Sequence, residues 1–98
     1  MNSPESEELC VQYIQPLEDY DKKYHGELLP TLQEILQCGW NLKESAEKLY
    51  IHYNSIKYRY SKICKVLNLD LSDHDNRSLV EIAMKLYRLK HYKARENN

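Results

Sequence analysis

Apolar residues recur along the chain at the three- and four-residue intervals of an α-helix, and no segment alternates as a strand does. Four helical stripes are visible. Their members are Leu28, Leu32, Ile35 and Leu36; Leu42, Ala46 and Leu49; Ile56, Tyr60, Ile63 and Leu67; and Leu79, Ile82, Ala83, Leu86 and Leu89. With a further short helix over residues 9–17, they predict an all-α fold, a compact bundle of about five helices.

The N-terminal end is predicted to contribute little. Residues 1–8 are expected to be a disordered tail, which leaves residues 9–93 as one small domain. Pro16 should end the first helix, because the residue before a proline avoids helical geometry. Residues 19–23 are predicted to be a polar link.

Proline and glycine set the expected limits of the helix over residues 24–38. Pro30 implies one of two things: the helix starts late, with Pro30 in its first turn, or it kinks there. Gly39 is a suitable stop, because glycine readily takes the left-handed conformation that ends many helices.

Capping signals mark the helices that follow. Asn41 and Glu44 have the spacing of a capping box, residues 50–53 form the expected turn, and the next helix runs over residues 53–67. Ser72 or Asp73 should cap a last helix over residues 75–92.

Residues 42–67 have the spacings of a helix-turn-helix, with small Ala46 where the helices cross and Ile56 as an anchor in the second helix. Opposite the apolar stripe of that second helix lies a polar and cationic face. Its members are Asn54, Tyr58, Ser61, Lys62 and Lys65, flanked by Ser55 and Lys57. Such a face suits the DNA major groove, although a plain helical hairpin in a bundle has the same patterning.

Charge is divided unevenly along the chain. The net charge is −1, but residues 1–40 carry eight acids and two lysines, a balance of −6. Residues 41–67 carry six bases and two acids, a balance of +4, and residues 85–95 add five bases and no acid. A polyanion meets a local face rather than the average, so the basic segments favour nucleic acid.

Other kinds of site find little support. Three cysteines without a CxxC pair indicate neither a disulfide framework nor a zinc knuckle, and the four histidines are dispersed. No nucleophile–base pair or glycine-rich phosphate loop is visible, and no run of about 18 apolar residues could span a membrane. We therefore expect no enzyme, no metal, no cofactor and no membrane association, and a cytoplasmic protein.

The segment AEKLYIHYNSIKYRYSKI, residues 46–63, resembles the helix-turn-helix of PucR-type bacterial transcription regulators, which reads approximately Leu-x-Val-His-x-Asn-Thr-x-x-Tyr-Arg-Leu. PLEDYD (residues 16–21), ELLPTLQEIL (27–36) and LDLSDHDNR (69–77) are similar to the family's flanking segments. Tyr53 stands where the family usually has Arg, Ser55 replaces Thr, and Tyr60 replaces Leu. Residues 46–63 also resemble Fis-type helix-turn-helices more loosely.

The resemblance implies a C-terminal module that binds double-stranded DNA in a sequence-specific manner, with the helix over residues 53–67 in the major groove. It implies a sensor domain that precedes this module in the full-length protein. Tight specific binding would favour a homodimer with half-sites roughly 34 Å apart. The alternative is a helical module for protein–protein interaction or dimerisation without DNA contact.

Individual roles follow from side-chain chemistry. Lys43, Lys57 and Lys62 suit phosphates, as does the hydroxyl of Ser55. The alternative is a solvated face for Lys57 and Lys62, and a helix cap for Ser55. Asn54 could pair with adenine or cap the helix, and His52 could bond a phosphate or act as the cap. Tyr58 and Tyr53 complete the candidate DNA-binding residues, with surface packing as the alternative for Tyr58. For Arg59, a structural ion pair is favoured over DNA.

Overall fold

The computed structural model describes residues 4–96, which form six α-helices and no strand. The helices are α1 (Pro4–Tyr13), α2 (Gln15–Tyr24), α3 (Leu28–Gln37), α4 (Leu42–Leu49), α5 (Tyr53–Leu67) and α6 (His74–Glu96). The all-α prediction is confirmed. There are six helices rather than about five, because the segment before α3 forms two.

The N-terminal boundaries differ from those expected. Pro16 does not end a helix; it lies in the first turn of α2, where its missing N–H removes no helical hydrogen bond. Residues 19–23, expected as a link, lie inside α2. Because α1 starts at Pro4, the expected disordered tail over residues 1–8 overlaps this helix, and residues 1–3 lie outside the described part of the chain.

The start of α3 is capped from another helix. Glu27 precedes α3 with a left-handed φ of 55° and gives no side-chain cap. Instead, Asp21 of α2 accepts hydrogen bonds from the backbone N–H groups of Leu28 and Leu29, at 2.7 and 2.9 Å. The helix thus starts late with Pro30 in its first turn, the first of the two alternatives. Gly39, with φ +62°, follows its end as expected.

A close approach between Tyr20 and Gly26 brings α2 and α3 together. A Cβ atom on Gly26 would lie 2.5 Å from Cε1 of the Tyr20 ring, well inside van der Waals contact. A larger residue at this position would force the Tyr20 ring to shift, so glycine lets the ring lie against the three-residue connection between the helices.

One main core joins α1, α2, α3, α5 and α6. Its buried side chains are Tyr13, Ile14, Leu17, Leu28, Leu29, Leu32, Ile63, Leu67, Leu71, Val80, Ala83 and Met84. The connection between α3 and α4 is attached to α6 through Trp40, whose indole N–H donates to Glu81 at 2.8 Å. The guanidinium of Arg77 lies 4.7 Å from the centroid of the same indole ring.

The buried face of α6 is displaced by about one residue from the face that the sequence predicts. Ile82 and Leu89, expected inside, are 47% and 58% exposed, whereas Val80 and Met84 are buried. The reason is that α6 lies against α1, and this contact selects one of two overlapping apolar arcs that share Ala83.

The caps of the later helices agree better with the sequence. The side chain of Asn41 accepts from the backbone N–H of Glu44 at 2.9 Å, as the capping box predicts, although the N–H of Asn41 donates to the Cys38 carbonyl rather than to Glu44. Asp73, one of two proposed caps, accepts from the N–H of Asp75 at 2.8 Å. The bounds of α5 match the prediction.

We predict that Asp21→Ala lowers the free energy of unfolding by about 2 kcal/mol, because it removes a cap that serves two backbone amides. Urea denaturation followed by circular dichroism measures this. The matched control is Asp19→Ala on the same helix, where only an exposed hydrogen bond from Gln15 is lost. Equal effects of the two variants would contradict the capping role.

A second prediction concerns alkaline pH. Burial first, then the hydrogen bond to Glu18 and its negative charge, raise the pKa of Tyr87 from 10.0 to about 12. The protonated phenol is therefore favoured in the folded chain, and its contribution to stability is complete below pH 10 and is lost as the pH rises towards 12. Urea midpoints should converge for the wild type and Tyr87→Phe across this interval; a constant difference would contradict the linkage.

Candidate nucleic-acid interface

The candidate interface is built on a helix-turn-helix formed by α4 and α5. Buried Ala46 and Ile56 meet Ile35 of α3 where the helices cross. Tyr50 ends α4 in the left-handed conformation, with φ 57°, and the N–H of Ile51 donates to the Ala46 carbonyl at 3.0 Å. The turn over residues 50–53 therefore forms without glycine.

The two sides of α5 differ as the sequence predicts. Ile56 and Ile63 are fully buried and Leu67 nearly so, while Tyr60 is half-buried. The exposed positions are Tyr53, Asn54, Ser55, Lys57, Tyr58, Ser61 and Lys65. One side holds α5 to the domain, and the other presents polar and aromatic groups to solvent.

Arg59 attaches α5 to the start of α3. One guanidinium nitrogen donates to the Thr31 hydroxyl at 3.0 Å, and the other lies 3.1 Å from the Glu27 carboxylate. Thr31 is buried and donates in turn to the Glu27 carbonyl. The expected structural ion pair of Arg59 is confirmed, and it links α5 to the start of α3.

His52 is the N-cap of α5. Its Nδ1 atom accepts a hydrogen bond from the backbone N–H of Asn54 at 3.1 Å. Because Nδ1 is the acceptor, the neutral ring carries its proton on Nε2. The capping role considered for Asn54 and Ser55 is thus filled by His52, and both of their exposed side chains make no hydrogen bond to the described residues.

Lysines and tyrosines alternate on the exposed side of α5. The ammonium of Lys57 lies 5.5 Å from the centroid of the Tyr53 ring. That of Lys62 lies 5.8 Å from the Tyr58 ring and 6.0 Å from the ring of Tyr20 on α2. Lys62 is half-buried rather than exposed. Lysines commonly bury their alkyl stem against a protein surface while the ammonium remains in water.

The remaining candidate, Lys43, is exposed in the first turn of α4, on a different helix from the other candidates. The structure thus brings together seven of the eight candidate residues, at or near α5. Their individual contacts with DNA stay predictions.

The sequence analysis did not predict that α2 lies beside α5. The Tyr20 ring of α2 lies 6.0 Å from the ammonium of Lys62, and Gly26, in the connection that follows α2, lines an open depression together with Asn54, Ser55, Tyr58 and Arg59. The i, i+4 spacing of Tyr20 and Tyr24 was an available signal, but residues 19–23 were predicted to be a link. Among the described residues, no group of three His, Cys, Asp or Glu side chains could hold a metal, and no helix is long and apolar enough to cross a membrane.

Residues 28–86, which span α3 to most of α6, match the PucR C-terminal helix-turn-helix domain. The chain belongs to this family. The predicted resemblance is confirmed over α4 and α5, the helices of the candidate interface. No solved structure matches the chain.

Three curated relatives come from Bacillus subtilis (strain 168). The DNA-binding transcriptional activator AdeR is 25% identical over 73 residues, covering 74% of this chain and 17% of AdeR. The proline-responsive transcriptional activator PutR is 34% identical over 70 residues, covering 71% of this chain and 17% of PutR. The purine catabolism regulatory protein is 29% identical over 87 residues, covering 76% of this chain and 16% of that protein. The chain thus spans about a sixth of the length of these relatives.

Proposed function

We propose that this chain binds double-stranded DNA in a sequence-specific manner, with α5 in the major groove, as the C-terminal module of a bacterial transcription regulator. The observation that carries the proposal is the two-sided character of α5 on a helix-turn-helix: its aliphatic row is buried and its polar, cationic row is exposed. The helix has 15 residues, about 22 Å of length, and its width suits the major groove, which is about 12 Å wide.

Phosphate binding falls to the cations and donors at the edges of the face. Lys57 and Lys62 are held near aromatic rings, which orient their ammonium groups without neutralising them. His52 keeps its cap and has an Nε2–H that can donate to a phosphate, and Ser55 offers its hydroxyl. Lys43, with the N-terminal amides of α4, would contact the strand backbone at a second point.

Base reading falls to the centre of the exposed row. Because His52 caps α5, the amide of Asn54 is free to donate to and accept from an adenine edge. Tyr58, 65% exposed, lies one turn further along and can reach a base edge or the backbone. Tyr53, where the family usually has arginine, supports Lys57 instead of supplying a charge.

The relatives support the regulator assignment over an enzyme, because all three are named as regulators or transcriptional activators. Their greater length supports a sensor domain elsewhere in the full-length protein. A homodimer that reads two half-sites remains an expectation from the size of the module, since one such helix reads few base pairs.

The second candidate function is a protein-interaction module. It is favoured by exposed tyrosines, above all Tyr50, which is 95% exposed in the turn. Salt distinguishes the two functions: DNA affinity should fall with a log–log slope of about −0.9 per phosphate contacted, whereas a tyrosine-mediated protein interface would not show this dependence.

We predict that Lys57→Glu weakens binding to every duplex, because a phosphate contact is replaced by repulsion. Fluorescence anisotropy with a labelled random-sequence duplex at several salt concentrations measures the affinity and the slope. Lys85→Glu, the same change at an exposed position of α6, is the matched control. If both variants bind as the wild type does, the proposed contact face is wrong.

Asn54→Ala should have a different effect. It removes a base contact worth about 1–3 kcal/mol of discrimination while leaving the phosphate contacts in place. Selection from random duplexes should therefore give a weaker consensus for Asn54→Ala than for the wild type, with a similar salt slope. An unchanged consensus would exclude Asn54 from base reading.

A further inference from the structure

We propose that the phosphate-binding surface continues from α5 onto the C-terminal end of α2, where Lys23 and Tyr24 bind the DNA backbone beside the major-groove site. The inference rests on the proposed function and extends it to a second element. It assigns a role to residues that lie outside the helix-turn-helix and outside the matched residues 28–86.

The contact between the helices is a continuous row of cations and aromatic rings. The ammonium of Lys23 lies 5.3 Å from the Tyr24 ring, and the rings of Tyr24 and Tyr20 are 4.8 Å apart. Lys62 lies 6.0 Å from Tyr20 and 5.8 Å from Tyr58. We call Lys23, Tyr24, Tyr20, Lys62 and Tyr58 the aromatic–lysine row; it connects the end of α2 to the middle of α5.

The chemistry of this row suits phosphates better than bases. Lys23 and Tyr24 are exposed, and within residues 4–96 neither Lys23 nor Lys62 forms an ion pair with a carboxylate. The rings orient the ammonium groups but leave their charge available to an anion. Tyrosine hydroxyls add donors, which phosphate oxygens accept.

The end of α2 is held in a fixed position relative to α5. Asp21 binds the first amides of α3, and Arg59 of α5 binds Glu27 and Thr31 at the same place. Gly26 allows the Tyr20 ring to lie against the connection. A duplex that meets α5 would therefore meet Lys23 at a defined distance, with little further ordering of the chain.

The test compares two adjacent lysines of α2. Lys23→Ala removes the end of the aromatic–lysine row, and Lys22→Ala removes an equal charge from an exposed position outside it. Anisotropy titrations use the same random-sequence duplex and a duplex enriched by selection, over a series of salt concentrations. We expect Lys23→Ala to weaken binding several-fold on both duplexes and to reduce the salt slope by about 0.9. Lys22→Ala should leave the slope unchanged.

The titrations distinguish failure of the proposed function from failure of the extension onto α2. If the wild type shows no salt-dependent binding to duplex DNA, the proposed function fails. If the wild type binds and Lys57→Glu weakens it, but Lys23→Ala matches Lys22→Ala in slope and affinity, only the extension onto α2 is overturned. Circular dichroism melts of both lysine variants show whether the fold is kept. Ethylation interference adds an independent measurement, because flanking phosphates needed by the wild type should become dispensable for Lys23→Ala.

Discussion

The carboxylate of Asp21, bound to the first two amides of α3, is the interaction on which the arrangement of the candidate interface depends. Helices normally cap their own N-termini, but Glu27 takes a left-handed conformation and cannot do so. The cap supplied by α2 therefore joins two helices as it completes one. Because Arg59 reaches the same turn through Thr31 and Glu27, three helices share one fixed point.

Left-handed residues at helix ends explain how so short a chain turns so often. His25, Tyr50 and Asn68 end α2, α4 and α5 in this conformation, and none of them is glycine. Asparagine tolerates this conformation, but for His25 and Tyr50 it costs roughly 1–2 kcal/mol, which the packing of the joined helices must offset. At Tyr50 this cost accompanies an almost fully exposed ring, so the residue gains little from packing in the isolated chain.

How far the sequence predicts this structure depends on whether the deciding interactions are local. The bounds of α5 and the cap by Asn41 depend on neighbouring residues, and both were predicted correctly. The phase of α6 depends on its contact with α1, and apolar residues occupy too much of its circumference for periodicity to choose between Ile82 and Val80. Pro16 has the same ambiguity, since proline is compatible with the start of a helix as well as with its end.

In the candidate site, too, the local features could be predicted from the sequence and the long-range contacts could not. The exposed row of α5 follows from helical periodicity, so its members could be named from spacing alone. The contact between Tyr20 and Lys62 could not be predicted from spacing. It joins positions 42 residues apart, and it depends on the Asp21 cap and on the close packing at Gly26. Residues 19–23 were expected to be a link, so the helical spacing that places Tyr20 and Tyr24 on one side of α2 was not recognised.

The charge distribution of the domain depends on which acids and bases are paired within the fold. An overall charge of −1 would disfavour DNA if acids and bases were mixed over the surface. Here two acids near the candidate interface make structural contacts: the Asp21 carboxylate accepts hydrogen bonds from backbone amides, and Glu27 forms an ion pair with Arg59. Lys57 and Lys62 instead have aromatic neighbours. Their ammonium groups lie beside uncharged rings, and α5 carries four bases and no acid, although the chain as a whole is nearly neutral.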